Sequence, residues 1–282
     1  MNINKIGIVG AGIMGAGIAQ MFAEHGRPVL LWDAAPEALK RGLDNIGKRL
    51  EKSAEKGTLP AGEAPRILAR ITPARALSDF AAADLVIEAV VEDLAVKRKL
   101  FSELEGVAAG TAILATNTSS LGISEIATGL GHPERFLGMH FFNPPTRLEL
   151  VEVVPHEGTA QAAVAAVREL AAACGKTPVT VRDAPGFIVN RLLLLMINEA
   201  ARMAGEGVAS PADIDTAMRL GALHPAGPLA VADLVGLDTC RSILDVLRTR
   251  LENNAYAPAG AIVELQDAGR LGRKTKSGFF KY

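Results

Sequence analysis

A histidine and a glutamate in successive apolar segments are the side chains in this chain best suited to proton transfer. His140 ends the apolar segment 136–140, and Glu152 lies within the next one, 148–154. If these segments are adjacent strands, the carboxylate can hold one imidazole nitrogen while the other nitrogen faces a substrate. Such a pair suits removal of a hydroxyl proton near neutral pH, because the carboxylate fixes the tautomer and stabilises the imidazolium. A histidine at a strand end is also commonly structural, so the pair alone leaves both interpretations open.

A glycine-rich turn near the N-terminus has the spacing of a dinucleotide-binding loop. It follows an apolar segment, precedes a helical one, and reads Gly10-Ala11-Gly12-Ile13-Met14-Gly15. The first glycine permits a tight turn, the second lets the backbone approach a pyrophosphate, and the third lets helix and strand pack together. The N–H groups at the start of the helix then attract the phosphates.

Asp33 closes the second predicted strand, where a carboxylate can accept hydrogen bonds from an adenosine ribose. Its charge would repel a 2′-phosphate, which favours NAD over NADP. A glycine-rich turn can also bind FAD, S-adenosylmethionine or nothing. The agreement of strand, turn, helix and acid favours a dinucleotide, and FAD domains usually need a longer chain.

The segments that must position these residues alternate between strand and helix up to about residue 182. Several strands are unbroken apolar runs, which is typical of parallel strands covered on both faces. The order predicts an α/β fold with a Rossmann-type, doubly wound parallel sheet. The predicted strands are 5–10, 28–33, 84–89, 111–116, 136–140, 148–154 and 177–181, and the predicted helices are 14–25, 36–56, 94–104 and 159–174.

The pattern changes after Asp183-Ala184-Pro185-Gly186, beyond which we predict only helices. A long apolar helix covers 187–203, and Ser210-Pro211-Ala212-Asp213 has the cap, first-turn proline and acid of a helix N-terminus. We therefore expect an NAD-binding Rossmann domain at residues 1–184 and an all-helical, substrate-binding domain at residues 185–282. The apolar residues of the helical domain, including 192–195, exceed what a small domain readily buries, so we also expect a homodimer formed through it.

The composition argues against several other classes of protein. The 30 Lys and Arg residues nearly balance the 31 Asp and Glu residues, which gives no reason to expect a nucleic-acid or membrane-surface partner. Cys174 and Cys240 lie outside metal-ligand spacing, so we expect free thiols in a reducing compartment and no metal. The N-terminus has no secretory signal pattern, and the apolar run 188–197 is too short to span a bilayer. We expect a cytoplasmic protein.

These motifs, taken together, resemble the L-3-hydroxyacyl-CoA dehydrogenase family, particularly its short bacterial 3-hydroxybutyryl-CoA dehydrogenases. The resemblance covers nearly the whole chain, and the matching segments occur in the family's order. They are 10–20, 88–92, 116–121, His140-Phe141-Phe142-Asn143-Pro144 with its preceding strand, Pro185-Gly186-Phe187-Ile188-Val189-Asn190-Arg191, 227–228 with Asp233, 236–238, 272–275 and 278–280.

The resemblance implies a role for each of several residues. His140 would be the catalytic base and Glu152 its carboxylate partner. Ser119 would hydrogen-bond the 3-oxygen of the substrate, and Asn190 would help to orient it. NAD would be contacted by the glycine turn (including Ile13 and Met14), Asp33, Ser119, Glu92, Lys97, Asn143 and Lys274.

Each of these residues also has a purely structural interpretation. Ser119 could cap a helix, and Asn190 could satisfy backbone groups in a helix contact. Glu92 and Lys97 could form an ordinary surface pair, and Lys274 could be a solvated lysine near the C-terminus.

Basic residues on the second predicted helix are candidates for binding CoA phosphates. Lys48, Lys52 and Lys56 recur at four-residue spacing, where like charges destabilise a helix slightly. The stripe therefore suggests an anionic partner, although Glu51 and Glu55 partly neutralise it. In the family, basic residues here meet the CoA phosphates, and Lys56 best matches that position. Lys52 is a second candidate, and for Lys48 and Lys52 a solvated helix face is the alternative.

The implied reaction is reversible oxidation of an (S)-3-hydroxyacyl-CoA, most simply 3-hydroxybutyryl-CoA, with NAD. Arg147 and Glu149 depart from the family pattern, in which a lysine commonly precedes the Leu-Val-Glu motif, so the acyl preference stays open. One alternative is the same chemistry on an acyl-carrier-protein thioester or a small free hydroxy acid, which Arg147 would suit. Another is a non-catalytic NAD-binding structural protein, against which the complete set of four catalytic candidates argues.

Overall fold

The computed structural model describes residues 3–282 of the chain. These residues divide into two compact units, one that ends at Asp183 and one that comprises Ala184–Tyr282. Each unit has its own apolar core. The two units are therefore described separately.

A sheet of eight strands, counted over residues 3–183, lies at the centre of the first unit. Its strands are β1 (Ile6–Val9), β2 (Val29–Trp32), β3 (Ile71–Pro73), β4 (Leu85–Glu88), β5 (Ile113–Thr116), β6 (Phe136–Phe141), β7 (Leu150–Pro155) and β8 (Thr177–Thr180). Their spatial order is β3-β2-β1-β4-β5-β6-β7-β8. Neighbouring strands are parallel except for β6 and β7, which are antiparallel.

Helices connect most of the parallel strands and shield the centre of the sheet. Strands β1, β4 and β5 are buried along their whole length, as expected for parallel strands covered on both faces. The helices of this unit are α1 (Ile13–Glu24), α2 (Pro36–Glu55), α3 (Glu63–Leu68), α4 (Leu94–Val107), α5 (Ile123–Ala127) and α6 (Gln161–Ala173). Short 3₁₀ turns at Leu77–Ala82 and Pro133–Arg135 complete it.

The predicted fold class is confirmed, and the structure corrects two details. The prediction of an entirely parallel sheet is wrong, because β6 and β7 are antiparallel. Only residues 142–149 join these two strands, whereas a parallel pair needs a crossover of about a dozen residues or more. The sequence does not predict β3. This strand has three residues at the edge of the sheet and buries only Ile71, so it leaves no periodic pattern to detect.

The second unit is helical, as predicted. Its helices are α7 (Val189–Gly205), α8 (Pro211–Gly221), α9 (Pro228–Val235), α10 (Leu237–Leu251) and α11 (Gly260–Asp267), with 3₁₀ turns at Asn254–Tyr256 and Arg273–Thr275. The predicted start of α8 is confirmed: the Ser210 hydroxyl accepts a hydrogen bond from the Asp213 N–H at 3.2 Å, and Pro211 opens the helix. Over the described residues, β-pairing in this unit is limited to isolated bridges at Gly272, Ser277 and Lys281.

Buried polar side chains fix the segments of the second unit that have no regular structure. The Asn198 amide donates to the carbonyls of Ala255 and Ala257, and its oxygen accepts from the Ala259 N–H. The Asp233 carboxylate accepts from three donors in the C-terminal segment, namely the N–H groups of Phe279 and Phe280 and the Tyr282 hydroxyl. These bonds satisfy polar groups that would otherwise be costly to bury.

Three sequence-based expectations concern features other than the fold. Cys174 and Cys240 are both buried and unpaired, which confirms the free thiols. Across residues 3–282, no helix is both long enough and apolar enough to cross a bilayer. Over the same residues, His, Cys, Asp and Glu side chains form no cluster of three or more that suits a metal ion.

Candidate active site

One edge of the sheet collects the predicted site residues of the first unit. Strands β1, β4, β5 and β6 run in the same direction, so the segments that follow them leave the sheet at the same edge. The glycine turn follows β1, Glu92 comes after β4, Ser119 comes after β5, and His140 lies near the end of β6. This is the edge at which open α/β sheets bind their ligands.

His140 and Glu152 lie directly opposite each other in the antiparallel pair of β6 and β7. The His140 Nδ1 atom is 2.7 Å from the Glu152 Oε2 atom, and the two residues are 6% and 0% exposed. An Nδ1–H that donates to the carboxylate leaves Nε2 as the nitrogen able to accept a proton. The structure thus confirms that the two strands are neighbours, and the pair has the arrangement of a general base with its partner.

Asn117 holds the end of the histidine strand, a role that the sequence does not reveal. Its side-chain oxygen accepts a hydrogen bond from the Phe141 N–H at 2.8 Å, and its own N–H donates to the Glu88 carbonyl at 2.8 Å. The residue therefore connects the ends of β4, β5 and β6. The only sequence signal for it is its place in the polar segment that follows β5.

The serine loop, residues 117–121, is built around the carboxylate of Glu92. One oxygen of Glu92 accepts from the N–H groups of Ser119 and Ser120 at 2.9 and 3.0 Å, and from the hydroxyls of Thr118 and Ser120 at 2.6 and 2.9 Å. The Ser119 hydroxyl is more distant from it, at 3.4 Å. Glu92 thereby determines the conformation of the loop that carries Ser119.

The charge of Glu92 is stabilised by these bonds and by a lysine. Burial on its own would raise the pKa of Glu92, but the Lys97 ammonium and the hydrogen bonds from the serine loop outweigh it. The pKa of this carboxyl therefore lies below its usual value. Glu92 is consequently an anion wherever the protein is folded near neutral pH.

Lys97 is buried, so its interpretation as half of a surface ion pair is wrong. It is 1% exposed, and its ammonium lies 2.5 Å from the Glu88 carboxylate and 3.4 Å from that of Glu92. Glu88 also accepts from the Thr116 hydroxyl at 2.7 Å. The sequence-based reasoning assigned no role to Glu88, which is fully buried at the end of β4. The predicted contact between Lys97 and NAD stays a prediction.

The glycine turn has the geometry that close approach of a pyrophosphate requires. Gly10 adopts φ +103°, and a Cβ on Gly15 would lie 1.8 Å from the Gly10 carbonyl oxygen. By contrast, a Cβ on Gly12 would meet nothing within 4 Å, so the backbone there is open to a ligand. Ile13 and Met14 open α1 directly after it, where helix N–H groups have no partner within the helix. These features fit a dinucleotide.

Two further residues fix the position of this turn. The Asp33 carboxylate accepts from the Ala11 N–H at 2.8 Å and from the Ala35 N–H at 2.9 Å, so the predicted ribose-binding acid is also tied to the turn. Gly42 of α2 packs against the turn, since a Cβ there would lie 2.6 Å from the Ala11 oxygen. Sequence reasoning missed Gly42, because an isolated glycine within a helix carries no signal of what it touches.

The remaining predicted residues of the first unit are exposed. Asn143 follows β6, and Lys52 and Lys56 lie at the C-terminal end of α2. Arg49, which neighbours them in sequence, donates instead to the Gln20 side chain at 2.7 Å. The contacts of Asn143 with NAD and of the two lysines with CoA stay predictions.

Asn190 and Lys274 belong to the second unit. Asn190 is the second residue of α7 and is partly buried. The Lys274 ammonium lies 2.5 Å from both carboxylate oxygens of Asp238, so this lysine is paired rather than simply solvated. Their roles toward substrate and NAD stay predictions.

Comparison with known proteins agrees with this geometry. Residues 5–184 match the family described as "3-hydroxyacyl-CoA dehydrogenase, NAD binding domain", and residues 186–282 match its "C-terminal domain". A relative from Bacillus subtilis, named probable 3-hydroxybutyryl-CoA dehydrogenase, is 45% identical over 100% of this chain and 98% of its own. The 3-hydroxyadipyl-CoA dehydrogenase of Escherichia coli is 42% identical over 100% of this chain and 60% of its own.

A solved structure of a named dehydrogenase is similar to this chain over its full length. The (S)-3-hydroxybutyryl-CoA dehydrogenase PaaH1 of Ralstonia eutropha superimposes with a TM-score of 0.94 at 42% identity, over 100% of this chain and 99% of its own. Together, the two family matches cover nearly every residue from 5 to 282. The chain therefore belongs to the 3-hydroxyacyl-CoA dehydrogenase family.

Proposed function

We propose that this protein reversibly oxidises (S)-3-hydroxyacyl-CoA thioesters to 3-ketoacyl-CoA thioesters with NAD, and that 3-hydroxybutyryl-CoA is its first candidate substrate. The observation that carries the proposal is the 2.7 Å contact between His140 and Glu152 at the sheet edge that also holds the glycine turn. The names of the relatives that match the full length of this chain support the substrate class.

In the proposed reaction, His140 takes the hydroxyl proton of the substrate on Nε2 as the carbonyl forms at C3. The buried carboxylate of Glu152 stabilises the resulting imidazolium and holds the ring in place. When bound, NAD would supply the acceptor for the hydride that leaves C3. In the reverse direction His140 returns the proton to the oxygen. The chain's contribution is thus orientation and electrostatic stabilisation.

Other residues of the two domains hold the reactants. Ser119 hydrogen-bonds the 3-oxygen, and Asn190 orients the thioester. The glycine turn and Asp33 bind NAD, with Glu92, Lys97, Asn143 and Lys274. Lys52 and Lys56 pair with CoA phosphates, which their exposed positions permit. We assign NAD binding to residues 1–184 and substrate binding to residues 185–282.

Replacing the proposed base tests this function. His140→Ala should lower kcat by about 10²- to 10⁴-fold, the usual contribution of a general base, while the dissociation constant for NADH changes less than about threefold. The matched control is His132→Ala, because the His132 side chain is exposed and its imidazole lies 3.1 Å from the carboxylate of nearby Glu134, in a surface contact. If His140→Ala turned over substrate at the wild-type rate, the assignment of His140 as the general base would be rejected. A wild-type protein with no turnover on any acyl-CoA would support the non-catalytic alternative.

The acyl group and its carrier are a separate question. Arg147 and Glu149 are exposed on the segment that joins β6 to β7, and the Escherichia coli relative is named for 3-hydroxyadipyl-CoA, whose acyl group ends in a free carboxylate. We propose short unbranched acyl-CoA as the preferred class. Initial rates with 3-hydroxybutyryl-CoA, 3-hydroxyadipyl-CoA, the acyl-carrier-protein thioester and free 3-hydroxybutyrate, compared in wild type and Arg147→Ala, decide among them.

We also propose that the protein is a homodimer formed through the helical domain. An apolar groove of about 470 Å³ lies between α7 and α8, lined chiefly by Met196, Ala200, Met203, Ile214 and Met218. Leu192 of α7 and Leu220 of α8 are 66% and 73% exposed, so the same two helices carry further apolar surface that a partner could cover. Light scattering at micromolar concentration should give twice the 29.5 kDa chain mass. Met203→Glu should halve that value, and a monomeric wild type would reject the dimer.

We also propose that the protein is located in a reducing compartment. Both cysteines are buried, unpaired thiols, which suits a reducing environment such as the cytoplasm.

A further inference from the structure

The connecting segment, residues 142–149, links the two strands that carry the proposed base and its partner. It also contains Asn143, a proposed NAD contact. Most of the segment is exposed, but Pro145 is buried, so this residue anchors the segment to the rest of the unit. Two contacts outside the segment account for that anchoring, one from a lysine and one from a glycine.

Lys176 holds the connecting segment through its backbone. The residue is 8% exposed and lies immediately before β8. Its ammonium donates to the Pro145 carbonyl at 2.6 Å and to the Leu148 carbonyl at 2.9 Å. Burial lowers the pKa of this ammonium, and the carboxylates of Glu24 and Glu149 oppose the shift. A lysine is rarely buried unless its donors are paired, and here the two carbonyls of the connecting segment are partners of its ammonium.

Gly17 supplies the second contact, to the ring of Pro145. It lies on α1, the helix that begins at the glycine turn, and a Cβ at Gly17 would lie 2.9 Å from Pro145 Cδ. Because Gly17 has no side chain, the connecting segment can pack directly against α1, the helix that begins at the proposed pyrophosphate site. The ring of Pro145 thus lies against α1, and its carbonyl accepts a hydrogen bond from the Lys176 ammonium.

We propose that Lys176 is a positioning residue for NAD binding, which acts by holding the connecting segment against α1 so that Asn143 is presented to the cofactor. The inference rests on the proposed function, because it assumes that Asn143 contacts NAD. Lys176 does not touch the reacting atoms. The pairing of His140 with Glu152 is maintained by the β6–β7 ladder itself, so loss of Lys176 should weaken cofactor binding much more than it slows chemistry.

The first test removes the donors of Lys176 and then restores them. Lys176→Met keeps an unbranched, flexible side chain that lacks the terminal ammonium and donates nothing to the two carbonyls, whereas Lys176→Arg can donate to both. We expect Lys176→Met to raise the NADH dissociation constant, measured by fluorescence titration, by about tenfold or more. Its kcat at saturating NAD should stay within about threefold of wild type, and Lys176→Arg should recover most of the affinity. Lys99→Met, at a lysine that is 81% exposed on α4, is the control.

The second test shifts the connecting segment without removing any hydrogen bond. Gly17→Ala improves helix propensity by up to about 1 kcal/mol but presses on Pro145 from the side of α1. We expect weaker NADH binding in a variant that stays folded at the assay temperature, because the gain in helix propensity offsets part of the cost of the tighter contact. A purely structural role would instead leave the affinity of every folded variant at the wild-type value.

These results separate the inference from the proposed function. If the wild type binds NADH and turns over acyl-CoA, but Lys176→Met and Gly17→Ala bind NADH as tightly as it does, the positioning role is overturned and the function stands. If Lys176→Met does not fold, Gly17→Ala alone decides. If the wild-type protein does not bind NADH, the proposed function itself is rejected.

Discussion

The Nδ1 atom of His140 lies 2.7 Å from the Oε2 atom of Glu152, and the two residues face each other across one antiparallel strand pair. The backbone ladder on both strands holds this contact, so it does not depend on a flexible loop. Because both side chains are almost completely buried, their electrostatic interaction is stronger than it would be in water. The arrangement is preorganised for proton transfer.

Replacing the carboxylate by an amide tests that preorganisation. Glu152→Gln keeps the shape of the side chain but loses the charge that stabilises the imidazolium, so kcat should fall by at least about 100-fold. The NADH dissociation constant should change little, because Glu152 is no part of the proposed cofactor site. Steady-state kinetics and fluorescence titration provide both values. Turnover within a few fold of wild type would show that the charge of Glu152 is dispensable.

The lowered pKa of Glu92 predicts how its contribution to stability depends on pH. A carboxyl whose folded pKa lies below its unfolded value stabilises the protein fully above the unfolded value, near 4.5, and loses that contribution as pH falls through the folded value. Wild type should therefore be more stable than Glu92→Gln at pH 7, and the difference should shrink below about pH 4.5.

Urea unfolding of both proteins between pH 7 and pH 3 measures this difference. Glu103→Gln is the control, because Glu103 is half exposed and its pair with Lys99 is a surface contact at 3.9 Å, which contributes little at any pH. A difference between wild type and Glu92→Gln that does not vary with pH would contradict the prediction.

Two glycines on the same helix should respond differently to alanine. Gly42→Ala would place a methyl group 2.6 Å from the Ala11 oxygen, so it should displace the glycine turn and weaken NADH binding. Gly47→Ala meets nothing within 4 Å, so it should stabilise α2 by about 0.5–1 kcal/mol and leave binding unchanged. Thermal unfolding and NADH titration of the two variants make the comparison. Equal affinities would show that the contact of Gly42 with the turn does not affect the cofactor.

Asp33 should control the choice between the two nicotinamide cofactors. Asp33→Asn keeps an acceptor near the turn but removes the charge that repels a 2′-phosphate, so the ratio of kcat/KM for NAD to that for NADP should fall at least about tenfold. Asp44→Asn, at an exposed position on α2, is the matched control. If the ratio is the same in all three proteins, the cofactor preference arises elsewhere.

The sequence alone determined those features that depend on neighbours along the chain. The glycine turn, the cap at Ser210 and the succession of strands and helices follow from backbone conformation and from periodic burial, both of which act over a few residues. The resemblance to the family added candidates such as Ser119 and Asn190, which spacing and residue type alone would not have selected.

Tertiary structure decided what depends on contacts between distant segments. The contacts of Gly42 with Ala11 and of Lys176 with Pro145 join residues 31 positions apart in the sequence. The antiparallel pairing that sets His140 opposite Glu152 and the burial of Lys97 between two carboxylates join closer residues, but both depend on how whole segments pack. No local pattern encodes such contacts, because a lysine or a glycine has the same short-range preferences on the surface as in the interior. Only the packing of the whole unit determines which side chains are desolvated and which protein groups then form hydrogen bonds or ion pairs with them.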